Sequence, residues 1–155
     1  DALRAMGARI VFHKVAMRPG KPILFAILPN GTLYFGLPGN PISSAVGFRF
    51  FVQLAIQTMQ GIASESPMHI PLAHSVVKKS GFTLLQKAKL TVDASGQLKV
   101  SLLKGQESFR IQPLLHSNAW ALLPEDADSL AENTLVELYG LHGMGVTISA
   151  STDES

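Results

Sequence analysis

Hydrophobic and polar positions change rhythm twice along this chain. Residues 9–15 and 23–28 are short apolar runs that predict strands. Asn30-Gly31 supplies the positive φ of a tight turn and leads into a third strand at 32–37. The rhythm then lengthens to that of a helix. Asn40 is a good N-cap, Pro41 suits the first helical position, and Gly61 can close the far end. Between them Arg49, Gln53, Gln57 and Gln60 recur at helical spacing on one side, while Ile42, Val46, Phe50, Leu54 and Ile56 spread over the remainder. That distribution predicts a mostly buried helix. Ser64, Ser66, Pro67 and Pro71 then interrupt every period, so a domain boundary is placed within 62–71. Beyond it the period is two. Phe82, Leu84, Ala88, Leu90 and Val92 alternate with Thr83, Lys87, Lys89 and Thr91, the turn at 93–96 follows, and Leu98, Val100 and Leu102 continue. With further strands at 118–123 and 134–139, this half predicts a small barrel or sandwich. The end, "ASTDES", reads as a disordered tail.

Composition narrows the class. With 155 residues, 46% of them hydrophobic, the chain is long enough to bury a core. It has no apolar run near the roughly 20 residues of a membrane helix and no signal-peptide pattern, so no membrane association is expected and a cytoplasmic location is the default. Without cysteine there is no disulfide, thiolate metal site or thiol nucleophile. The first ten residues lack an initiating Met and read as the middle of a helix, as in a piece of something longer. The net charge of +2 is unevenly spread. Up to residue 64 Arg4, Arg9, Lys14, Arg18, Lys21 and Arg49 face Asp1 alone, and from residue 111 every charge is acidic. Such segregation marks either an anion-binding face or a solvated surface. Few aromatics stand beside the basic residues and no nucleic-acid reading motif is present, so nucleic acid is not expected as a partner.

Candidate chemistry gathers at two turns. In "GLPGNP" (36–41) Gly39 permits close backbone approach, and the helix beginning after Asn40 offers N–H groups at its positive end. The stretch is either an oxyanion cradle or a rigid strand-to-helix connection. Lys14, Arg18 and Lys21 surround the neighbouring turn, and Lys14 shares a face with Arg18 if the strand stays extended. Convergent cations beside a helix start favour the cradle. Ser43 and Ser44 sit in the first helical turn, where they could donate to an anion. His69 and His74 have no metal-site spacing, and His13 fits a strand residue at the edge of the anion site. The apolar face of the helix exceeds what the first segment can cover, which predicts a second copy of the chain as partner.

The segments "FHKVAMRPGKP" (12–22) and "FGLPGNPISSAVGFRFFVQ" (35–53) resemble hallmark segments of the molybdopterin molybdenumtransferase family, the bacterial MoeA type that also includes the gephyrin E domain. The likeness continues, more loosely, through "LLQKAKL", "GQESFRIQPLLHSNAWALLP" and the closing strands. It implies an α/β plus all-β fold: residues 1–62 as the latter half of a three-layer α/β/α molybdopterin-binding domain, 66–142 as a small C-terminal β-barrel, and 143–155 as a tail. It implies insertion of molybdate into adenylylated molybdopterin with release of AMP, assisted by magnesium. The resemblance assigns catalytic places to Lys14 and Arg18 in the cationic turn, with Pro38 and Pro41 shaping the second turn; Lys21, Gly39, Asn40 and Ser43, read from the residues themselves, complete the expected substrate contacts. Lys87 falls where the family commonly has Arg and Ser108 where it commonly has Ser, both reaching from the barrel toward molybdate. Glu107 stands where the family usually has Gly. The family's acidic metal ligands precede Asp1, so no metal ligands are assigned in this chain, and these residues alone are expected to be inactive. The gephyrin likeness implies an alternative, a non-catalytic dimeric platform for peptides.

Overall fold

The chain reverses at Asn30-Gly31, where Gly31 takes φ +83° and Leu28 N–H donates to Thr32 O at 2.9 Å. This hairpin belongs to a computed structural model that describes residues 2–103, 115–143 and 145–148. A one-turn helix, α1 (Ala2–Ala5), precedes β1 (Arg9–His13) and β2 (Met17–Arg18), followed by β3 (Leu24–Ile27) and β4 (Leu33–Gly36). Strands β1, β3 and β4 form one sheet in that order, with both pairings antiparallel. Phe12, Phe25 and Phe35 are cross-strand partners on this sheet. Phe25 stacks on Phe35 with centroids 4.7 Å apart, and Phe51 of the helix joins Phe12 at 5.7 Å.

The helix starts and stops where its caps predict. Asn40 Oδ1 accepts from the N–H groups of Ile42 and Ser43 at 3.1 and 3.2 Å. Gly61 at φ +69° ends it, with Gly61 N–H on Thr58 O and Ile62 N–H on Gln57 O, the paired bonds that close a left-handed C-terminal cap. Replacing Asn40 with Ala frees two N–H groups and is expected to cost about 1 kcal/mol. Urea unfolding of both proteins checks this.

Between the caps the helix is not uniform. Segment α2 (Pro41–Gly47) leads through a π-helical turn (Phe48–Val52) into α3 (Gln53–Met59). The wider turn shifts the helical phase, so a wheel drawn at 3.6 residues per turn fails beyond it. Ile42 and Val46 are buried, whereas Leu54 and Ile56 are each 44% exposed and Met59 is 75% exposed. The expectation of a mostly buried helix holds for its first half alone.

Ten-residue β7 (Thr83–Val92) is the spine of the second half, which also contains β5 (Met68–Pro71), β6 (Val76–Val77), β8 (Leu98–Leu102), β9 (Ala119–Leu123), β10 (Ser129–Leu130) and β11 (Leu135–Gly140). The sheet runs β7-β9-β11-β5, with β8 also on β7. It curls back on itself because Leu72 bridges Val100 of β8 and Ala73 N–H donates to Val100 O at 2.9 Å. Of the barrel or sandwich that the alternation predicts, the sheet takes the barrel form. Its interior holds Leu72, Ala88, Leu90, Val100, Ala121, Leu123 and Leu138.

A second core crosses the sequence boundary. Met17, Ile23, Ile42 and Val46 pack with Leu85 and Trp120 of the barrel. Strand β2 completes the union by pairing in parallel with β7, Met17 opposite Thr83 and Arg18 opposite Leu84.

Three members of the helix's polar stripe, Arg49, Gln53 and Gln57, reach this junction. Arg49, 8% exposed, donates from Nε to Gly140 O at 3.0 Å and from Nη2 to Glu65. Gln53 donates to His142 O at 2.7 Å, and Gln57 to Gly143 O at 3.5 Å. The chain leaving β11 presents carbonyls to the helix, and that of Gly140, which is buried, requires a donor. Side chains that a helical wheel assigns to water supply the donors.

Tyr139 borders the same junction and donates to Glu137 at 2.8 Å. Burial, helped by the Glu137 hydrogen bond and charge, pushes its hydroxyl from the ordinary 10.0 up to about 12. A raised folded-state value stabilises the fold below pH 10 and loses that contribution as pH climbs to about 12. Stability of the parent should therefore fall over this interval more steeply than that of Tyr139→Phe, as urea midpoints from pH 9 to 12 would show.

Candidate functional site

The Pro-Gly turn is built as a closed loop with a strand at its tip. At its neck Lys14 N–H donates to Ile23 O and Val15 N–H to Lys21 O, both at 2.9 Å. Lys14 adopts φ +70°, so the chain leaves its extended path there. The expectation that Lys14 and Arg18 share one strand face is corrected by this break. Gly20 lies at φ +111°, where a Cβ would stand 2.8 Å from Met17 Cε; a side chain at this position would be strained and crowded.

The turn, the first helical residues and the start of β7 enclose a cleft of about 380 Å³. Arg18, Lys21 and Ser43 line it on one side, and Leu84, Leu85 and Gln86 on the other. Pro19 and Pro22 complete the wall. The described lining contains two cations and no carboxylate, a charge balance that suits an anion. Its apolar wall suits a ligand with a flat or hydrophobic portion beside that anion.

Not every residue assigned from sequence arrives here. Arg18, Lys21 and Ser43 come together, while Lys14, Pro38, Gly39, Asn40 and Pro41 lie outside the lining. The expected supply of helix N–H groups is also corrected. Those of Ile42 and Ser43 are taken by the Asn40 side chain, that of Ser44 by Asn40 O, and Pro41 has none. Ser44 Oγ donates to Pro38 O, which stiffens the turn. Lys87 lies opposite Trp120 on the sheet face turned to the helix, 1% exposed and outside the cleft lining. Ser108, Glu107 and the terminal "ASTDES" lie outside the described residues. Among the described residues no three His, Asp or Glu gather to hold a metal.

Two contributors escaped the sequence reading. Gln86 enters the cleft from β7, where alternation marks it only as a strand position. Phe82 lies beneath the cations, with the Arg18 guanidinium carbon 3.9 Å from its ring centroid and Lys21 Nζ at 5.8 Å.

A helix-on-sheet unit that lends a cationic turn to a small barrel defines a two-module protein with a cleft at the seam lined by Arg18 and Lys21. The comparisons name the modules. Residues 1–58 match the family described as "Probable molybdopterin binding domain", and residues 69–141 match "MoeA C-terminal region (domain IV)". The chain belongs to the MoeA family. It is 39% identical over 141 residues to a molybdopterin molybdenumtransferase of Synechococcus elongatus, covering 90% of this chain and 34% of that protein. A protein of the same name from Staphylococcus aureus is 34% identical over 127 residues, covering 80% and 30%. The chain thus spans about a third of the length of these relatives. A molybdenum cofactor biosynthesis protein from Pyrococcus furiosus shares the fold with a TM-score of 0.68 at 24% identity, covering 84% of this chain and 45% of that one. The MoeA protein of Pyrococcus horikoshii gives 0.65 at 23%, covering 84% and 32%. No described helix is long and apolar enough to cross a membrane.

Proposed function

We propose that this chain carries part of the substrate site of a molybdopterin molybdenumtransferase, which inserts molybdate into adenylylated molybdopterin and releases AMP. The observation that carries this reading is the pairing of Arg18 and Lys21 with Ser43 in one cleft whose described lining holds no carboxylate. Molybdate and the phosphoanhydride are oxyanions. A guanidinium offers a planar fork to such oxygens and an ammonium a compact charge, and fixed cations stabilise negative charge that builds up during transfer. Leu84, Leu85 and the two prolines provide the dry surface beside them. Magnesium finds no ligand set among the described residues, and no step here is assigned to it.

Since the chain covers about a third of its relatives, we expect it to bind these anions without turning over. Titration with molybdate or AMP at low salt, followed by backbone resonances, should shift signals around Arg18 and Lys21, and salt should weaken the effect. Absence of shifts there would overturn the reading. Incubation with adenylylated molybdopterin, molybdate and magnesium should release no AMP beside a full-length relative that does. The peptide-platform alternative asks for an exposed aromatic groove on the barrel; Trp120 and Tyr139 instead pack toward the helix. For oligomeric state the same reading favours a homodimer through exposed Leu54, Ile56 and Met59, which sedimentation equilibrium tests.

A further inference from the structure

We infer that Phe82 is a positioning residue for the anion cleft, an aromatic support that holds Arg18 and Lys21 side by side with their donors free. The inference rests on the anion-site reading and adds to it a residue that touches no substrate. Two like charges brought to one turn repel each other, and an exposed Arg or Lys side chain otherwise samples many rotamers. The Phe82 ring answers both problems. Its face attracts each cation, with Arg18 Cζ at 3.9 Å and Lys21 Nζ at 5.8 Å, within the range of cation–π attraction. A guanidinium that meets a ring through its face keeps its in-plane N–H groups available, which is the edge an oxyanion grips.

The backbone that carries the ring is itself held in place. Lys78, 9% exposed, donates from Nζ to Phe82 O at 3.1 Å. Its own N–H donates to Asp128 O at 2.8 Å, and Gly81 N–H donates to Glu125 O at 2.9 Å. On the other side, β2 is registered on β7, Arg18 opposite Leu84, two residues beyond Phe82. Both partners of the stack are thus fixed by backbone bonds. Phe82 lies outside the cleft lining while both of its cations lie within it, which places the ring behind them.

The test compares molybdate binding by the 155-residue chain and its Phe82→Leu, Phe82→Tyr and Arg18→Ala variants at low salt. Phe82→Leu keeps apolar bulk and removes the π face. It should weaken binding about two- to fivefold, with Phe82→Tyr restoring it and the thermal midpoint of both staying near that of the parent. Undiminished binding by Phe82→Leu, while Arg18→Ala binds less, overturns the inference and leaves the anion site standing. A loss that Phe82→Tyr does not rescue, or that follows a lowered midpoint, likewise overturns it, because the ring then acts on the fold alone. Failure of the parent to bind at all overturns the anion-site reading and this inference together.

Discussion

Replacing Arg49 with Ala is expected to destabilise the protein by about 3–5 kcal/mol, the usual cost of breaking a buried ion pair from one side. Arg49 joins three parts of the chain. It rises from the π-helical turn, pairs with Glu65 in the stretch between the modules, and donates to Gly140 O at the end of β11. Glu65 in turn accepts the Gly140 N–H at 2.8 Å, so both backbone groups of Gly140 depend on this one pair. Substituting both Arg49 and Glu65 with Leu should lose less than the sum of the single changes, since no charge remains stranded. It should still not recover the parent's stability, because Gly140 keeps two buried groups without partners, each costing about 1–3 kcal/mol. Urea unfolding of the four proteins provides the cycle. A loss under about 1 kcal/mol in Arg49→Ala would mean that solvent or a neighbouring donor replaces the guanidinium.

Neutralising Arg18 and Lys21 together should act on binding and leave the fold alone. Both are exposed side chains at the edge of the cleft, and among the described residues neither forms an ion pair whose loss would strand a buried charge. A hydrogen bond to a charged group contributes about 1.5–3 kcal/mol. Losing two of them predicts a fall of about a hundredfold or more in molybdate affinity in Arg18→Gln/Lys21→Gln. Isothermal titration at low salt measures it, with the thermal midpoint as control. Retained affinity would move the anion site away from this turn.

Much of the local structure was legible because it depends on neighbours in sequence. Asn30-Gly31, the Asn40-Pro41 start, the Gly61 stop and the alternation along β7 each follow from backbone preferences of a few residues. The two hallmark segments carried the family and, through it, Arg18, while Lys21 and Ser43 followed from the charge at the turn and the start of the helix. What could not be read depends on contacts distant in sequence or on irregularity. The π-helical turn shifts the phase of the helix, and nothing local announces that Arg49, Gln53 and Gln57 meet the carbonyls after β11. Lys14 departs from the extended path at a single positive φ that no local pattern announces. The Asn40 cap was foreseen, but not that its side chain would consume the N–H groups credited to the site. Phe82 looked like one more inward residue of a strand; only the docking of β2 on β7 brings the cations to its face.

That docking makes the link between the modules dispensable to their association. Strand β2 belongs by sequence to the first module and by hydrogen bonding to the sheet of the second, and Met17, Ile23 and Val46 share a core with Leu85 and Trp120. A protease nick in the irregular stretch 61–67 should therefore leave two fragments that co-migrate on gel filtration and separate only in denaturant. Either piece by itself would display its half of the shared core and seek the other. The same interlock restricts exchange: a barrel transplanted from a relative must bring a compatible β7 edge, or the graft will lose the geometry of the cationic turn even if each module folds.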